Sequence, residues 1–455
     1  MGKYFGTDGF RGEAGVTLTA EHAFKIGRCL GYRLREEITE KEQKRIRVAI
    51  GKDTRLSSYM LEYAIASGFA SSGVDVYLLH VITTPGVSYV IKREGFDMGI
   101  MITASHNPFS DNGIKLIGSD GSKISDELTD FVEEHLDSEN FDIPFASGAD
   151  IGRIHDHYSG RNGYIGYLIS LASSSYKGLR VGIDSANGAA FSIARSVFAA
   201  LGAEVYTIND KPDGLNVNYK CGSTHPEALA EAVRENRLDV GFAFDGDADR
   251  CIAIDENGTV TDGDSILYIL ARNMKQNGML KNGSIVATVM SNGGLARSLK
   301  NDGIDVEVTR VGDRYVYRRM QEIGASLGGE QSGHIIISDL GATGDGILTA
   351  ISLAERMLDS RATLSELCRG LVKFPQTSGS IRVRDREKAI SDTELISLTE
   401  RLRAEQNGEG RILVRLSGTE PVIRIMAEAK TISESQAAVN AILSLLKSKG
   451  YADEK

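Results

Sequence analysis

Three times along this chain an apolar run of strand length ends in a polar loop, with helix-like spacing in between. In the first round Ile46-Arg47-Val48-Ala49-Ile50 runs into Gly51-Lys52-Asp53-Thr54-Arg55. A helical stretch from about 57 to 72, a strand at Val76-Tyr77-Leu78-Leu79 and a helix opened by Thr83-Thr84-Pro85 follow. The apolar run Met98-Gly99-Ile100-Met101 then enters Ile102-Thr103-Ala104-Ser105-His106-Asn107-Pro108. The second round runs from Leu179-Arg180-Val181-Gly182-Ile183 to the strand before Asp245-Gly246-Asp247-Ala248-Asp249-Arg250. The third runs from Ile285-Val286-Ala287-Thr288-Val289, past Ser291-Asn292-Gly293-Gly294, to Gly329-Glu330-Gln331-Ser332-Gly333-His334. Strands alternating with helices predict βαβ-type units, and the recurrence predicts three related ones. Fifty glycines against seven prolines suit many tight strand–helix turns.

Past residue 374 the pattern changes. Phe374-Pro375-Gln376-Thr377-Ser378-Gly379 reads as a linker. A strand at Ser380-Ile381-Arg382-Val383-Arg384, a helix over 391–405, two short strands and a helix from about 433 predict an α+β domain. The stretch from 155 to 162 reads as a polar junction. The expected divisions are 1–155, 156–254, 255–373 and 374–455.

Composition excludes several classes. A net charge of −10 argues against non-specific nucleic-acid binding, though not against a small phosphorylated ligand, which local basic groups decide. The four cysteines, Cys29, Cys221, Cys251 and Cys368, lack metal or redox spacing and fit a reducing, cytoplasmic setting. The N-terminal residues show no apolar signal core, and no apolar run reaches the ~18 residues of a membrane span.

The loops carry chemistry. Ser105 lies at a strand end with an imidazole, an amide and Lys115 close in sequence, the place where open α/β sheets bind ligands. It is the candidate nucleophile, and it needs activation or prior modification. Taken alone, Ser-His-Asn-Pro is also a good turn. Asp245, Asp247 and Asp249 alternate with small residues. Three close carboxylates repel one another unless a cation sits among them, and all-oxygen ligation suits Mg²⁺. A calcium loop fits less well, because Arg250 stands where that loop needs glycine and the flanks read as strands.

Arg415-Leu416-Ser417-Gly418-Thr419-Glu420-Pro421-Val422-Ile423-Arg424 could be a helix capping box, but Pro421 and the strand-like residues after it argue otherwise. Arg415, Ser417, Gly418, Thr419 and Arg424 suit a phosphate, which guanidinium grips in bidentate fashion. Glu330 and Ser332, next to His334, offer the acceptor and donor that vicinal sugar hydroxyls need. Read alone, they are equally well solvated side chains at a strand end. Gly6-Thr7-Asp8-Gly9-Phe10-Arg11-Gly12 is an ordinary glycine turn in isolation, and Asp313-Arg314 is only suggestive. Together these groups describe phosphoryl transfer on a phosphosugar, achieved by positioning and electrostatics.

The four loops, in this order along the whole chain, resemble the signature loops of the α-D-phosphohexomutase family. The loop around Asp8 and Arg11, Glu330-Gln331-Ser332 and Val311-Gly312-Asp313-Arg314-Tyr315-Val316 are similar to its bacterial phosphoglucosamine mutase branch. The phosphomannomutase/phosphoglucomutase branch resembles the chain less, since it tends to carry a histidine where Asp313 stands. The resemblance implies an α/β fold of three related domains with mixed sheets plus a C-terminal α+β domain around a central cleft. It implies a phosphorylated Ser105, with one Mg²⁺ held by Ser105, Asp245, Asp247 and Asp249. Lys115 and His334 match positions proposed for proton transfer, and Arg11 and Arg250 match positions near the transferring phosphate. The implied reaction interconverts glucosamine 6-phosphate and glucosamine 1-phosphate through a bisphosphorylated sugar, with a hexosamine or hexose 1,6-bisphosphate as activator. The expected partner is a small phosphosugar, without nucleic acid or membrane, and a homodimer is left open. Two other readings stay in play: a phosphatase with Asp245 as aspartyl nucleophile, and a non-catalytic bisphosphate-binding regulator.

Overall fold

The computed structural model describes residues 3–6, 8–42, 45–124, 126–138, 142–406, 408–416 and 422–453. The first sheet contains β1 (Phe5–Gly6), β2 (Gly9–Glu13), β3 (Arg47–Lys52), β4 (Asp75–Val81), β5 (Met98–Ile102), β6 (Asp111–Gly118) and β7 (Ile154–Asp156). Its order is β1-β2-β6-β5-β3-β4-β7. β3 is parallel to β4 and β5, whereas β5–β6, β6–β2 and β2–β1 are antiparallel. All five residues of β5 are buried, which is why that strand reads as an unbroken apolar run.

The second sheet contains β8 (Arg180–Asp184), β9 (Glu204–Ile208), β10 (Val240–Phe244), β11 (Cys251–Ile254) and β12 (Val260–Thr261), in the order β12-β11-β10-β8-β9. The third contains β13 (Ser284–Thr288), β14 (Asp305–Thr309), β15 (Leu327–Gly329) and β16 (Ile335–Ile337), in the order β14-β13-β15-β16. The three sheets share one plan. Leaving aside the added strands β1, β2, β7 and β12, the four strands of each (β3–β6, β8–β11, β13–β16) lie second, first, third, fourth in chain order, and the third pairs antiparallel with the fourth. The triplication expected from the order of polar loops is therefore a repeated sheet topology. The β5–β6, β10–β11 and β15–β16 turns carry Ser105, the aspartate triplet and Glu330-Gln331-Ser332-Gly333-His334. Each polar loop thus sits on the same hairpin of its own sheet.

Helices cover the sheets where periodicity put them. In Ala20–Glu42 the residues Ala23, Ile26, Leu30 and Leu34 are buried on one face. That face meets helix Leu56–Ser71 at Gly27 and Gly68, whose backbones nearly touch. Thr83 caps helix Thr84–Glu94 by accepting the Gly86 N–H (3.1 Å), and Pro85 stands in its first turn.

Two stretches differ from expectation. The polar run from 155 to 162 is no bare junction: β7 adds to the first sheet and helix Tyr158–Ser170 begins at once. Its polar residues are those of an edge strand, solvated on one side. The supposed linker likewise holds the start of β17 (Gln376–Arg382). β17 is the edge of a three-stranded antiparallel sheet ordered β17-β19-β18, with β18 (Arg411–Leu416) and β19 (Val422–Glu428).

The chain divides into two compact units, Met1–Val289 with Val306–Arg369, and Met290–Asp305 with Gly370–Lys455. In the second, Asn292 bonds the backbone of Phe374 through both side-chain atoms (2.9 and 3.0 Å), and Glu428 accepts the Gly293 N–H (3.0 Å). Its core is Ile381, Ile423, Ile425, Val439 and Ile442, between the sheet and helix Ile432–Ser448. No helix among the described residues is long and apolar enough to cross a membrane.

Candidate active site

Ser105 is fully buried in a left-handed backbone conformation (φ 52°). Its N–H donates to Thr103 Oγ1 (2.9 Å), and that hydroxyl donates to Asp53 Oδ2 (2.8 Å). Its own Oγ donates to Asp245 Oδ2 at 2.6 Å and lies 3.4 Å from His106 Nδ1. The β5–β6 and β10–β11 turns, 140 residues apart in sequence, thus meet at one hydroxyl and one carboxylate. A side chain at Gly246 would place its Cβ 2.6 Å from the Ser105 carbonyl oxygen, so the second turn needs glycine there to come this close.

Asp245, Asp247 and Asp249 are buried, and one carboxylate oxygen from each lies within 4.8 Å of the others. Burial, then the charges of Asp249 and Asp247, push the Asp245 carboxyl up to about 8. Asp247 Oδ1 and Asp249 Oδ1 are buried and have no hydrogen-bond partner among the described residues. Buried carboxylate oxygens left open in this way fit an oxygen-seeking divalent cation, so the triplet could hold a metal.

Lys115, on β6, donates to Asp247 Oδ2 (2.7 Å) and Asp249 Oδ2 (3.2 Å), with Asp8 Oδ2 3.4 Å away. Burial opposes its charge, but Asp247, Asp8 and Asp249 more than offset that and hold it well above the usual lysine range. Asp8 in turn pairs with Arg11 and accepts from Lys123 Nζ (2.5 Å). Lys123 also bonds Asp313 (2.8 Å). Alternating charges therefore run from the triplet through Lys115, Asp8 and Lys123 to Asp313.

His334 Nδ1 lies 3.7 Å from Asp249 Oδ2 and its Nε2 3.9 Å from Asp313 Oδ2. Burial lowers its pKa, but the Asp249, Asp313 and Glu330 carboxylates outweigh that and push it up to about 9. The Gly344 N–H donates to Nε2 (3.0 Å), which needs a lone pair there and favours the neutral ring. Arg250 is held up by Asp245, Asp249 and Glu330 against its burial, and its N–H donates to Asp245 Oδ1 (3.3 Å). Asp8, Lys115, Lys123, Asp249, Asp313 and His334 all line one cavity of about 320 Å³.

Of the residues singled out in the sequence, the structure brings together Ser105, Lys115, the three aspartates, Arg250 and His334, with Arg11 joined through Asp8. Glu330 Oε1 accepts the Gly312 N–H (2.9 Å), and Ser332 is exposed. In the second compact unit Arg415 and Arg424 stand directly opposite each other on β18 and β19, beside a cavity of about 450 Å³ that both line. Burial, then the like charge of Arg424, lowers the Arg415 pKa. Ser417, Gly418 and Thr419 lie outside the described residues. Sequence reasoning passed over Asp8, Lys123, Asp53, Arg55 and Asn218 as site residues. Asp53 and Arg55 had a signal, as an opposite-charge pair closing a buried strand. Lys123 and Asn218 had none.

Family models for phosphoglucomutase/phosphomannomutase match the chain in sequence: α/β/α domain I over residues 2–142, domain II over 162–258, domain III over 262–374 and the C-terminal domain over 377–443. A phosphoglucosamine mutase of Lachnospira eligens is 53 % identical over 452 residues, covering 99 % of this chain and 100 % of that one. A phosphoglucosamine mutase of Staphylococcus aureus is 46 % identical over 454 residues, covering 100 % of both. Among solved structures, a phosphoglucomutase/phosphomannomutase family protein from Burkholderia thailandensis superposes with a TM-score of 0.80 at 26 % identity, covering 100 % of this chain and 99 % of that one. On these matches, and on the repeated sheet plan that carries the site loops, the chain belongs to the phosphoglucomutase/phosphomannomutase family of enzymes.

Proposed function

We propose that this protein is a cytoplasmic phosphoglucosamine mutase, an isomerase that interconverts glucosamine 6-phosphate and glucosamine 1-phosphate. The observation that carries the chemistry is the meeting of Ser105 Oγ with Asp245 at 2.6 Å, beside two more aspartates and a buried lysine. The sugar follows from the relatives, which are named phosphoglucosamine mutases over their full length. In this reading residues 1–155, 156–254, 255–373 and 374–455 are four domains, and each contributes one loop.

Ser105 carries a phosphoryl group. The P–Oγ bond breaks as the free sugar hydroxyl takes the phosphorus; the hydroxyl proton leaves to a nearby base and Ser105 Oγ takes up a proton. The resulting sugar bisphosphate turns over, its other phosphate passes to Ser105 Oγ, which gives up its proton, and the departing sugar oxygen takes a proton. Lys115, held as a cation by its aspartates, lies beside the reacting groups and takes part in the proton transfer together with His334. His334 is pulled one way by carboxylates and the other by the Gly344 N–H on Nε2, and the proton it exchanges is the one on Nδ1, the nitrogen facing Asp249. Arg11 and Arg250 face the charge of the transferring group. Glu330 and Ser332 take the sugar hydroxyls, and Arg415, Ser417, Gly418, Thr419 and Arg424 hold the phosphate that is not reacting. Asp245, Asp247, Asp249 and the Ser105 phosphate would hold Mg²⁺, which supplies charge neutralisation at the transferring phosphoryl group. A hexosamine or hexose 1,6-bisphosphate restores enzyme that has lost its phosphate.

The test is a coupled rate assay with Mg²⁺ and a trace of hexose 1,6-bisphosphate, comparing glucosamine 6-phosphate with glucose and mannose 1-phosphates. The expected outcome is the highest kcat/KM on the glucosamine phosphate, and a fall to background in Ser105→Ala. Preference for glucose or mannose phosphate would move the enzyme to the neighbouring branch. Full activity in Ser105→Ala would overturn the mechanism.

A further inference from the structure

Arg55 lies in the turn after β3, immediately before helix Leu56–Ser71, and its side chain is wholly buried. All five of its side-chain N–H donors are engaged. Nε donates to Asp53 Oδ2 (2.8 Å). One terminal nitrogen donates to the carbonyls of Pro108 (2.5 Å) and Asp111 (3.2 Å), and the other to those of Ser105 (2.8 Å) and Asn107 (2.9 Å). Asn218, from the second α/β repeat, gives its two amide hydrogens to two of the same oxygens, Ser105 (2.8 Å) and Asn107 (3.0 Å). Asp53 completes the arrangement. Its Oδ1 accepts the Arg55 N–H (3.0 Å) and the Ser58 hydroxyl (2.9 Å), while Oδ2 accepts Thr103 Oγ1, which in turn receives the Ser105 N–H.

This wiring has a physical consequence at Ser105. A serine in the left-handed region is strained and holds that shape only where its surroundings over-determine it. A phosphoryl group on Oγ adds up to about two negative charges, and carbonyl oxygens turned toward it would repel it. The four carbonyls of this loop are turned instead onto a buried guanidinium, which leaves the side chain of Ser105 as the group facing Asp245. Arg55 thus reaches both the amide side of the loop, through Asp53, and its carbonyl side.

We propose that Arg55, locked by Asp53 and assisted by Asn218, is the positioning group for the phosphate-carrying serine. It touches no reacting atom. It sets the Ser105 backbone so that Oγ projects at the aspartate triplet, and it keeps the loop carbonyls off the phosphoryl group. The proposal rests on reading Ser105 as the phosphoryl carrier.

The experiment compares wild type, Arg55→Lys and Asn218→Ala in the full chain. Amide hydrogen exchange over residues 103–111 and steady-state kinetics on glucosamine 6-phosphate are read alongside the thermal midpoint. Lysine keeps the charge but cannot fork to four carbonyls. Exchange in this loop should quicken in both variants while the β3 and β5 amides keep their protection. In Arg55→Lys, kcat should fall about 10- to 100-fold with KM little changed, the signature of a misplaced reacting group. Should Arg55→Lys fail to fold, Asn218→Ala decides, because it removes donors from the same carbonyls without touching the Asp53 network. Wild-type loop exchange and wild-type kcat in a folded variant would overturn the proposal. A wild-type protein with no mutase turnover would sink the functional reading instead, and the exchange data would still show whether Arg55 holds the loop.

Discussion

Asp345 shows how far burial can move a single carboxyl in this protein. It caps helix Gly346–Ser360 by accepting the Leu348 N–H (3.0 Å), and it accepts the hydroxyl of buried Tyr164 (2.7 Å). Burial outweighs these bonds and pushes its pKa up to about 6. The folded protein therefore keeps a proton that the unfolded chain has released above its ordinary value. The resulting stabilisation is present at low pH and is lost as pH rises through 6. Asp345→Asn keeps the shape and cannot titrate. Urea unfolding of both proteins should show the wild type losing about 2 kcal/mol relative to the variant between pH 4.5 and 7. A constant difference would mean that the carboxyl titrates alike in both states. Nothing in the sequence marks Asp345 for this role, because its partner Tyr164 is 181 residues away. Asp245, Asp247 and Asp249 are legible by contrast, since alternation within five residues places the three charges together in any fold.

Elements were read from periodicity, and the repeated parts were the easiest. β3 and β8 end in the same device: Asp53, just past β3, accepts the N–H of Arg55, and Asp184, at the end of β8, that of Ala186 (2.9 Å), each two residues on. The packing of one helix on the next was not legible. A Cβ on Gly68 would meet the Phe24 carbonyl oxygen at 2.3 Å, and one on Gly27 the Ile65 carbonyl oxygen at 2.4 Å. Alanine in a helix interior is ordinarily favoured over glycine by about 1 kcal/mol. Here the obstacle is backbone, which cannot rotate aside, and overpacking of this kind costs about 1–3 kcal/mol. Gly68→Ala should lower the denaturation midpoint in spite of its better propensity. An unchanged or raised midpoint would show that the two helices part without cost. Edge strands were the weak point of the reading, since β7 and the start of β17 are polar and half solvated, and pattern alone does not separate them from linkers.

For the whole molecule, three carboxylates buried together oppose folding even with Lys115 on two of them, and a bound divalent cation relieves that. Mg²⁺ should raise the thermal midpoint of the wild-type protein, by a stabilisation of about 2.7 kcal/mol at a hundredfold excess over its dissociation constant. Asp247→Asn, which removes one of the open oxygens, should show a smaller rise with Mg²⁺ than the wild type does. An equal shift in both proteins would place the ion elsewhere. The net charge of −10 gives any chain of this composition a weak general attraction for cations, so the variant and not the midpoint alone decides.

Strand runs, helix faces and the order of the loops were present in the sequence, because hydrophobic period and turn chemistry are local properties. They sufficed for an α/β fold with three related units and a smaller α+β domain, and for the family. Which distant side chains meet was decided by tertiary structure alone. Lys115 reaches Asp247 across 132 residues, Arg55 reaches the Ser105 carbonyl across 50, and Asn218 reaches the same oxygen across 113. Such pairs leave no periodic trace. They exist because repeated sheets present the same hairpin turns, and because buried charges and turned carbonyls must find partners wherever the fold brings them.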